Sequence, residues 1–383
     1  MKGAALLLTA VGSILAQGIG PGPGMSHRPW VKVYSIAIDR TKCGLSSQSS
    51  FPVLVHASDP SLKSAANGGS VAHSGGSPAV PYDLVFATDT SLSTYLAWEV
   101  ESWDAANGVL WAWVALPTVN GSGASANTTL AAAWGNASVA TPQNAGSFAP
   151  AQVWSGYAGV WHLGNGSTLN LDDSTASGNG GANSGSTAVV GQIGGAAAFN
   201  GSTQFITIPS AMGATTNASV SVSFWVYPQA AGAYPMVITR DKGTGNNPWE
   251  LAYGLGGNLA PYYGTNGQPT ENSATTSVTL NEWNQVVYVY NSSSQTFQWY
   301  INGAAAGAGT ANGNGNSTWW TANGAAYIGK RDDGYFGSNE MYLDEMEIAS
   351  AARGADWVTD AFNNQHAPGD ISAAGFLIWT AAR

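Results

Sequence analysis

Short apolar runs broken by Gly, Asn, Ser or Pro recur along nearly the whole chain. In the first third they predict strands over 31–40, 51–57, 83–88, 97–103, 109–116 and 128–134, each rich in Val, Trp or Tyr and closed by turn residues. Further on, Val222, Phe224 and Val226 alternate with Ser221, Ser223 and Trp225, the period of a core strand over 220–227. Runs at 236–240, 249–254, 283–290, 296–301, 325–329 and 341–349 continue the pattern. Asn107-Gly108 and Asn302-Gly303 are two-residue hairpin turns, because both positions tolerate positive φ. No segment sustains a 3.6-residue apolar period, so little helix is expected. No block of 20–50 residues repeats, which excludes a solenoid. The prediction is an all-β protein of two antiparallel β-sandwich domains.

Punctuation places the boundaries. Residues 1–27 hold one lysine, an apolar run and a Gly/Pro linker. The apolar run has the shape of a secretory signal and is too short to span a bilayer. A retained N-terminal arm anchored in a partner is the alternative. The first sandwich is expected over 28–148, a link over 149–157, the second domain over 159–366, and a tail or edge strand over 367–383.

Composition narrows the classes. Hydrophobic residues make up 44% of 383, so a sizeable core is available. Charged residues are 9%, far below the roughly one quarter of an average soluble domain, so Ser, Thr, Asn, Gly and Gln must carry solubility. That balance suits a rigid extracellular β-protein. A net charge of −10 with no basic cluster leaves nucleic acid without its electrostatic footprint. Cys43 is the single cysteine, which rules out an internal disulfide and reads as a small buried or half-buried residue.

Two resemblances add to this. The stretch Val160–Pro209 carries Asp173-Ser174-Thr175, Gly178-Asn179-Gly180 and Phe199-Asn200-Gly201 before a short strand. Later come Tyr300-Ile301-Asn302-Gly303 and Asp344-Glu345. These phrases resemble a concanavalin A-like, laminin-G-type jelly roll, a fold that hosts lectins, hydrolases and structural modules alike. Earlier phrases are Phe51-Pro52-Val53-Leu54-Val55, Tyr82-Asp83-Leu84-Val85-Phe86, Trp98-Glu99-Val100-Glu101-Ser102-Trp103-Asp104 and Ala133-Trp134-Gly135-Asn136. They resemble a bacterial and phage domain of uncharacterised function that precedes such modules.

Catalytic patterns mostly fail. There is no Gly-x-Ser-x-Gly, no His-Glu-x-x-His and no phosphate-cradling loop. The five histidines are dispersed, and His162 after Trp161 reads as a structural side chain hydrogen-bonded near the sheet. Glu340 to Glu347 resembles the catalytic strand of concanavalin A-like glucanases, where alternation sets two carboxylates on one face. Tyr342 stands where the first glutamate belongs. Strict alternation puts Glu345 and Glu347 on one face and Asp344 on the other. The laminin-G resemblance implies a structural calcium between the early loop and the late strand, with Asp173, Asn179, Asp344 and backbone carbonyls of the 172–181 loop as ligands. The plain alternative is a metal-free turn. Asp332-Asp333-Gly334 reads as a turn.

Trp249, Tyr262, Tyr263, Trp319, Trp320 and Tyr335 lie in or beside polar Gly/Asn/Thr segments. Flat rings among amides suit stacking on sugars and also protein contact. The expectation is a non-enzymatic binding or adhesion protein, secreted or on the cell surface, recognising glycan or another surface polymer, with no transmembrane span. The alternative is a structural assembly component, such as a virion decoration or surface-layer protein with protein partners.

Overall fold

The computed structural model describes residues 29–77, 79–165, 167–208, 219–230, 235–240, 249–253, 261–265, 268–311, 325–331, 333–337 and 340–382. For 240, 249–250, 253, 261–265 and 268–272 it describes the backbone alone. The signal-like segment, Trp319, Trp320 and Asp332 lie outside these residues.

Two units form, each from antiparallel ladders. In the first, one sheet runs in the order Leu377–Ala381, Lys32–Ile38, Thr129–Trp134, Leu84–Ala87. A second sheet sets Val109–Val119 between Gln48–Ser58 and Trp98–Asp104. The residues after the second unit therefore return to the first, with Ile38 opposite Leu377 and Tyr34 opposite Ala381. Ile36, Ile38, Val53, Val55, Trp98, Val114 and Trp134 fill the space between these sheets.

The second unit packs a larger pair. One sheet orders Thr187–Val190, Gly195–Phe199, Met341–Ala349, Val220–Pro228, Asn284–Asn291, Thr296–Ile301 and Ala304–Thr310, and Tyr157–Trp161 also pairs with Met341–Ala349. The facing sheet orders Ala182–Ser184, Phe205–Ile208, Ala326–Ile328, Met236–Arg240, Trp249–Tyr253, Pro261–Thr265 and Gln268–Ser273. Val222, Phe224 and Val226 enter the core between them, as their alternation predicts. The Asn302-Gly303 turn takes the expected backbone, with φ of 50° and 75°, whereas the hairpin at Asn107-Gly108 closes through a four-residue loop, 105–108, in which Gly108 alone takes a positive φ, 75°.

The units are not beads on a string. Val287, Val289, Tyr300 and Ala349, on the outer face of the larger sheet, belong to the same apolar cluster as the first unit's core. The expected link over 149–157 is a packed wedge: a short helix, Pro150–Val153, delivers Trp154 at 1% exposure. The helix Ala355–His366 lies between the units. Its Asn364 side chain accepts from Leu54 N at 2.7 Å and donates to Leu54 O at 2.9 Å, replacing the neighbour that the edge strand Gln48–Ser58 lacks. Among the described residues no helix is long and apolar enough to cross a membrane.

Candidate functional site

The chemistry gathers where the two units meet. Trp98–Asp104 supplies Glu99 and Glu101. Its pairing slips at Glu101: Val100 faces Ala112, and Ser102 faces Trp111. Glu101 is thus the extra residue of a bulge, which re-aims a side chain. Trp98 and Val100 stay in the core of the first unit, while Glu101 turns toward the second with 1% exposure.

Met341–Ala349 carries a matching irregularity. Ser223 faces Glu347 and Trp225 faces Asp344, so Phe224 has both Glu345 and Met346 opposite it. Glu345 adopts φ 51°, a left-handed conformation that costs a non-glycine residue of order 1–3 kcal/mol. Parity reverses across the bulge. Met341 and Leu343 before it, and Met346 and Ile348 after it, all enter the jelly-roll core. Asp344, Glu345 and Glu347 are left together on the surface that the first unit covers, at 0%, 1% and 2% exposure. The expectation that Asp344 faces away from Glu345 is therefore corrected, because strict alternation does not survive an inserted residue.

His162 fills the gap this creates. Tyr157–Trp161 pairs with the central strand down to Met346, and Gly195–Phe199 pairs with it from Leu343, so neither neighbour covers Asp344 and Glu345. Leu163, at φ 65°, turns the chain away, and His162 projects between the acids at 1% exposure. Its Nδ1 lies 2.8 Å and 3.0 Å from the two oxygens of Glu345 and 3.9 Å from Glu101 Oε2. Its Nε2 lies 3.3 Å from Glu99 Oε2. Trp113 stacks along the imidazole, with ring centres 6.1 Å apart. The indole N–H of Trp113 donates to Glu101 Oε2 at 2.9 Å, and that of Trp154 to Glu99 Oε2 at 2.6 Å. Ser174 Oγ donates to Glu99 Oε1 at 2.7 Å. Asp344 Oδ2 accepts from Ile193 N at 2.9 Å.

Burial and mutual repulsion set the protonation. Burial, then the charge of Glu345, pushes Glu101 well above the usual carboxylate range. Burial, then Glu345 and Glu101, does the same to Asp344. Burial alone would lower His162, but Glu345 and Glu99 outweigh it and hold the imidazole well above its ordinary value. Glu99 is also opposed by burial, yet the His162 charge leaves it below its ordinary value. Burial, then Glu345, pushes Glu347 up to about 8. Beside it Gln365 acts as a hub: its Oε1 accepts from Trp225 Nε1 at 2.6 Å and Gln285 Nε2 at 2.9 Å, and its Nε2 donates to Glu347 Oε1 at 3.3 Å.

The residues singled out from the sequence fall in three places. Asp173 uses both carboxylate oxygens on four donors: Val160 N, Thr175 N, Thr175 Oγ1 and Asn179 N. Asp344 is bonded into a different loop, at Ile193. Asp173 and Asp344 thus accept from backbone N–H groups of two different loops. Trp249 and Tyr262–Tyr263 stand on neighbouring strands of the seven-stranded sheet, where Leu251 is opposite Tyr263 and Ala252 opposite Tyr262. Tyr335 is half-buried against Met236 and Ala252 of that sheet, with the Arg331 guanidinium 4.9 Å from its ring centre. Asp333 belongs to a turn, accepting from Tyr335 N and Arg331. Cys43 is buried as expected. Glu99, Glu101 and the joining of His162 to Glu345 were not singled out.

Fold and site together define an all-β protein whose second unit is a concanavalin A-like jelly roll clamped to a smaller β-sandwich. Residues 199–359 match the family model described as the concanavalin A-like lectin/glucanases superfamily, a group of non-enzymatic and hydrolytic proteins alike. A search of curated proteins returns no match. Among solved structures, the chain is similar to domain 4 of AbnA, a GH43 extracellular arabinanase from Geobacillus stearothermophilus, in complex with arabinotriose. Identity is 23%, with 53% of this chain and 97% of that chain covered and a TM-score of 0.45. It is also similar to the binding domain of Paraclostridial Mosquitocidal Protein 1, at 14% identity, 51% and 49% coverage and a TM-score of 0.41. For the binding domain of botulinum neurotoxin serotype D the values are 13%, 55% and 52%, and 0.41. The chain spans about half the length of these last two.

Proposed function

We propose that the protein is a non-enzymatic extracellular or surface binding protein. Its concanavalin A-like unit recognises glycan or a cell-surface polymer through aromatic residues around the strands Trp249–Tyr253 and Pro261–Thr265. The observation that carries this reading is burial. The strand resembling a glucanase active site holds Asp344, Glu345 and Glu347 at 0%, 1% and 2% exposure beneath the first unit, where a polymer has no access. Support for a sugar site comes from the placement of Trp249, Tyr262 and Tyr263 on adjacent strands, with Tyr335 packed on the same sheet. The first unit, which resembles an uncharacterised bacterial and phage domain, serves as a rigid base. A second reading, a virion or surface-layer component, draws support from the apolar cluster that runs unbroken between the units and makes them one stiff body.

Cosedimentation with insoluble polysaccharides and glycan-array binding test the proposal. Trp249→Ala and Tyr335→Ala should each weaken binding about tenfold, the loss of one stacked ring. No soluble sugar should be released. Release that disappears in Glu345→Gln would overturn the non-enzymatic reading, and undiminished binding in both aromatic variants would overturn the location.

A further inference from the structure

We infer that the cluster between the units is a closed binding site for one divalent transition-metal ion of the zinc or manganese type, held by His162 Nδ1, Glu345 and Glu101. The three donor atoms lie within 4.8 Å of one another and are all buried. Ligand atoms at about 2.0–2.1 Å from a tetrahedral ion stand about 3.3 Å apart. The Nδ1 separations of 2.8 Å to Glu345 and 3.9 Å to Glu101 bracket that spacing. Small rotations of two carboxylates complete it.

Unsatisfied atoms point the same way. Glu101 Oε1 and Asp344 Oδ1 are buried with no hydrogen-bond partner, at residues 1% and 0% exposed. Buried oxygens of this kind demand an explanation, and a bound cation supplies one. Among the described residues His162 is the basic side chain that bridges Glu99 and Glu345, with Glu101 beside it.

The surroundings have the order of a metal shell. A ligating imidazole characteristically gives its other N–H to a carboxylate, which fixes its tautomer. Glu99 takes that place at Nε2 and is itself fixed by Trp154 and Ser174. Trp113 orients Glu101. On binding, the Nδ1 proton leaves to solvent and its lone pair goes to the ion. Nε2–H continues to donate to Glu99, and any proton on Glu101 or Glu345 is released as well. One imidazole among carboxylates selects Zn²⁺ or Mn²⁺ over Ca²⁺ and Mg²⁺, which prefer oxygen alone.

The site is sealed, so loading belongs to folding. Tag-free protein is unfolded with chelator, refolded with Zn²⁺, Mn²⁺, Co²⁺ or Ca²⁺, and desalted. Metal content is then measured by mass spectrometry. The expected result is about one Zn²⁺ or Mn²⁺ retained per chain, no Ca²⁺, and a melting temperature raised by about 3 °C or more over the metal-free protein. Refolding with Co²⁺ should give visible d–d absorption bands. Glu101→Gln, which keeps the Trp113 contact, should cut retention at least about tenfold at unchanged circular dichroism. No retained metal in wild-type protein overturns the proposal. Equal retention in folded Glu101→Gln overturns the ligand assignment. Should that variant not fold, featureless absorption of the wild-type Co²⁺ protein overturns the proposal by itself. Glycan binding is read separately and survives either result.

Discussion

Asp360→Asn isolates one buried charge. Asp360 lies on the helix between the units at 0% exposure. Its Oδ1 accepts from Gly44 N at 2.6 Å, while Oδ2 is buried with no partner. Burial is the main force on it. The Gly44 N–H opposes that force, the charge of Asp356 adds to it, and the carboxyl is pushed up to about 7 from 3.8. The folded protein therefore keeps a proton that the unfolded chain has already released. Between those values the folded state binds more protons, so stability falls as pH rises. The contribution is whole below about 3.8 and gone above about 7. At about 1.4 kcal/mol per pH unit the full loss is about 4 kcal/mol, and the part between pH 5 and pH 8 is about 2–3 kcal/mol. Asparagine keeps the acceptor for Gly44 and cannot ionise. Urea unfolding at pH 5 and pH 8 measures the difference between variant and wild type. It should move in favour of the variant by about 2–3 kcal/mol at the higher pH. An identical difference at both pH values, or a variant less stable at pH 8, would refute the reasoning.

Three further outcomes are expected. Asn364→Ala strands the buried N–H and C=O of Leu54 and should cost about 2–5 kcal/mol in urea unfolding; a loss under about 1 kcal/mol would mean that Leu54 finds other partners. Gly194→Ala adds a Cβ 2.4 Å from Glu101 Oε1 at φ +53°, whereas Gly178→Ala at φ +63° meets open space. The first should lower the melting temperature clearly more than the second, and equal losses would show that the loop yields freely. Adding calcium to metal-stripped protein should leave melting unchanged, because Asp173 has no free oxygen; a calcium-dependent rise that Asp173→Asn abolishes would contradict this.

Much of the fold is written in local pattern. Val222, Phe224 and Val226 reach the core because a period of two needs no knowledge of partners. Asn302-Gly303 fixes its hairpin through backbone tolerance alone, whereas the loop at Asn107-Gly108 is two residues longer than the dipeptide implies. The site is different. Glu99 and Glu101 sit in a strand where glutamates read as solvent-facing, and only the arrival of a second unit buries them. Glu345 sits at a bulge, which depends on how a neighbouring strand pairs and leaves no mark in composition. The available signal was the company kept: Trp98 and Trp103 around two glutamates, and a lone histidine after Trp161. The wedge at Trp154 was hidden for the same reason, since a link without a period does not reveal what it packs against.

The strand Leu377–Ala381 completes a sheet begun by Lys32–Ile38. A ribosome moving at about 5–20 residues per second needs roughly 17–70 s to make the chain between them. Throughout that interval the nascent first unit presents an open edge, ready to pair with the many strands emerging behind it or with another chain. The order of synthesis thus opposes the order of closure. Completion of the first unit's sheet waits on the second unit's synthesis, and it comes by the capture of a late strand by the earliest one.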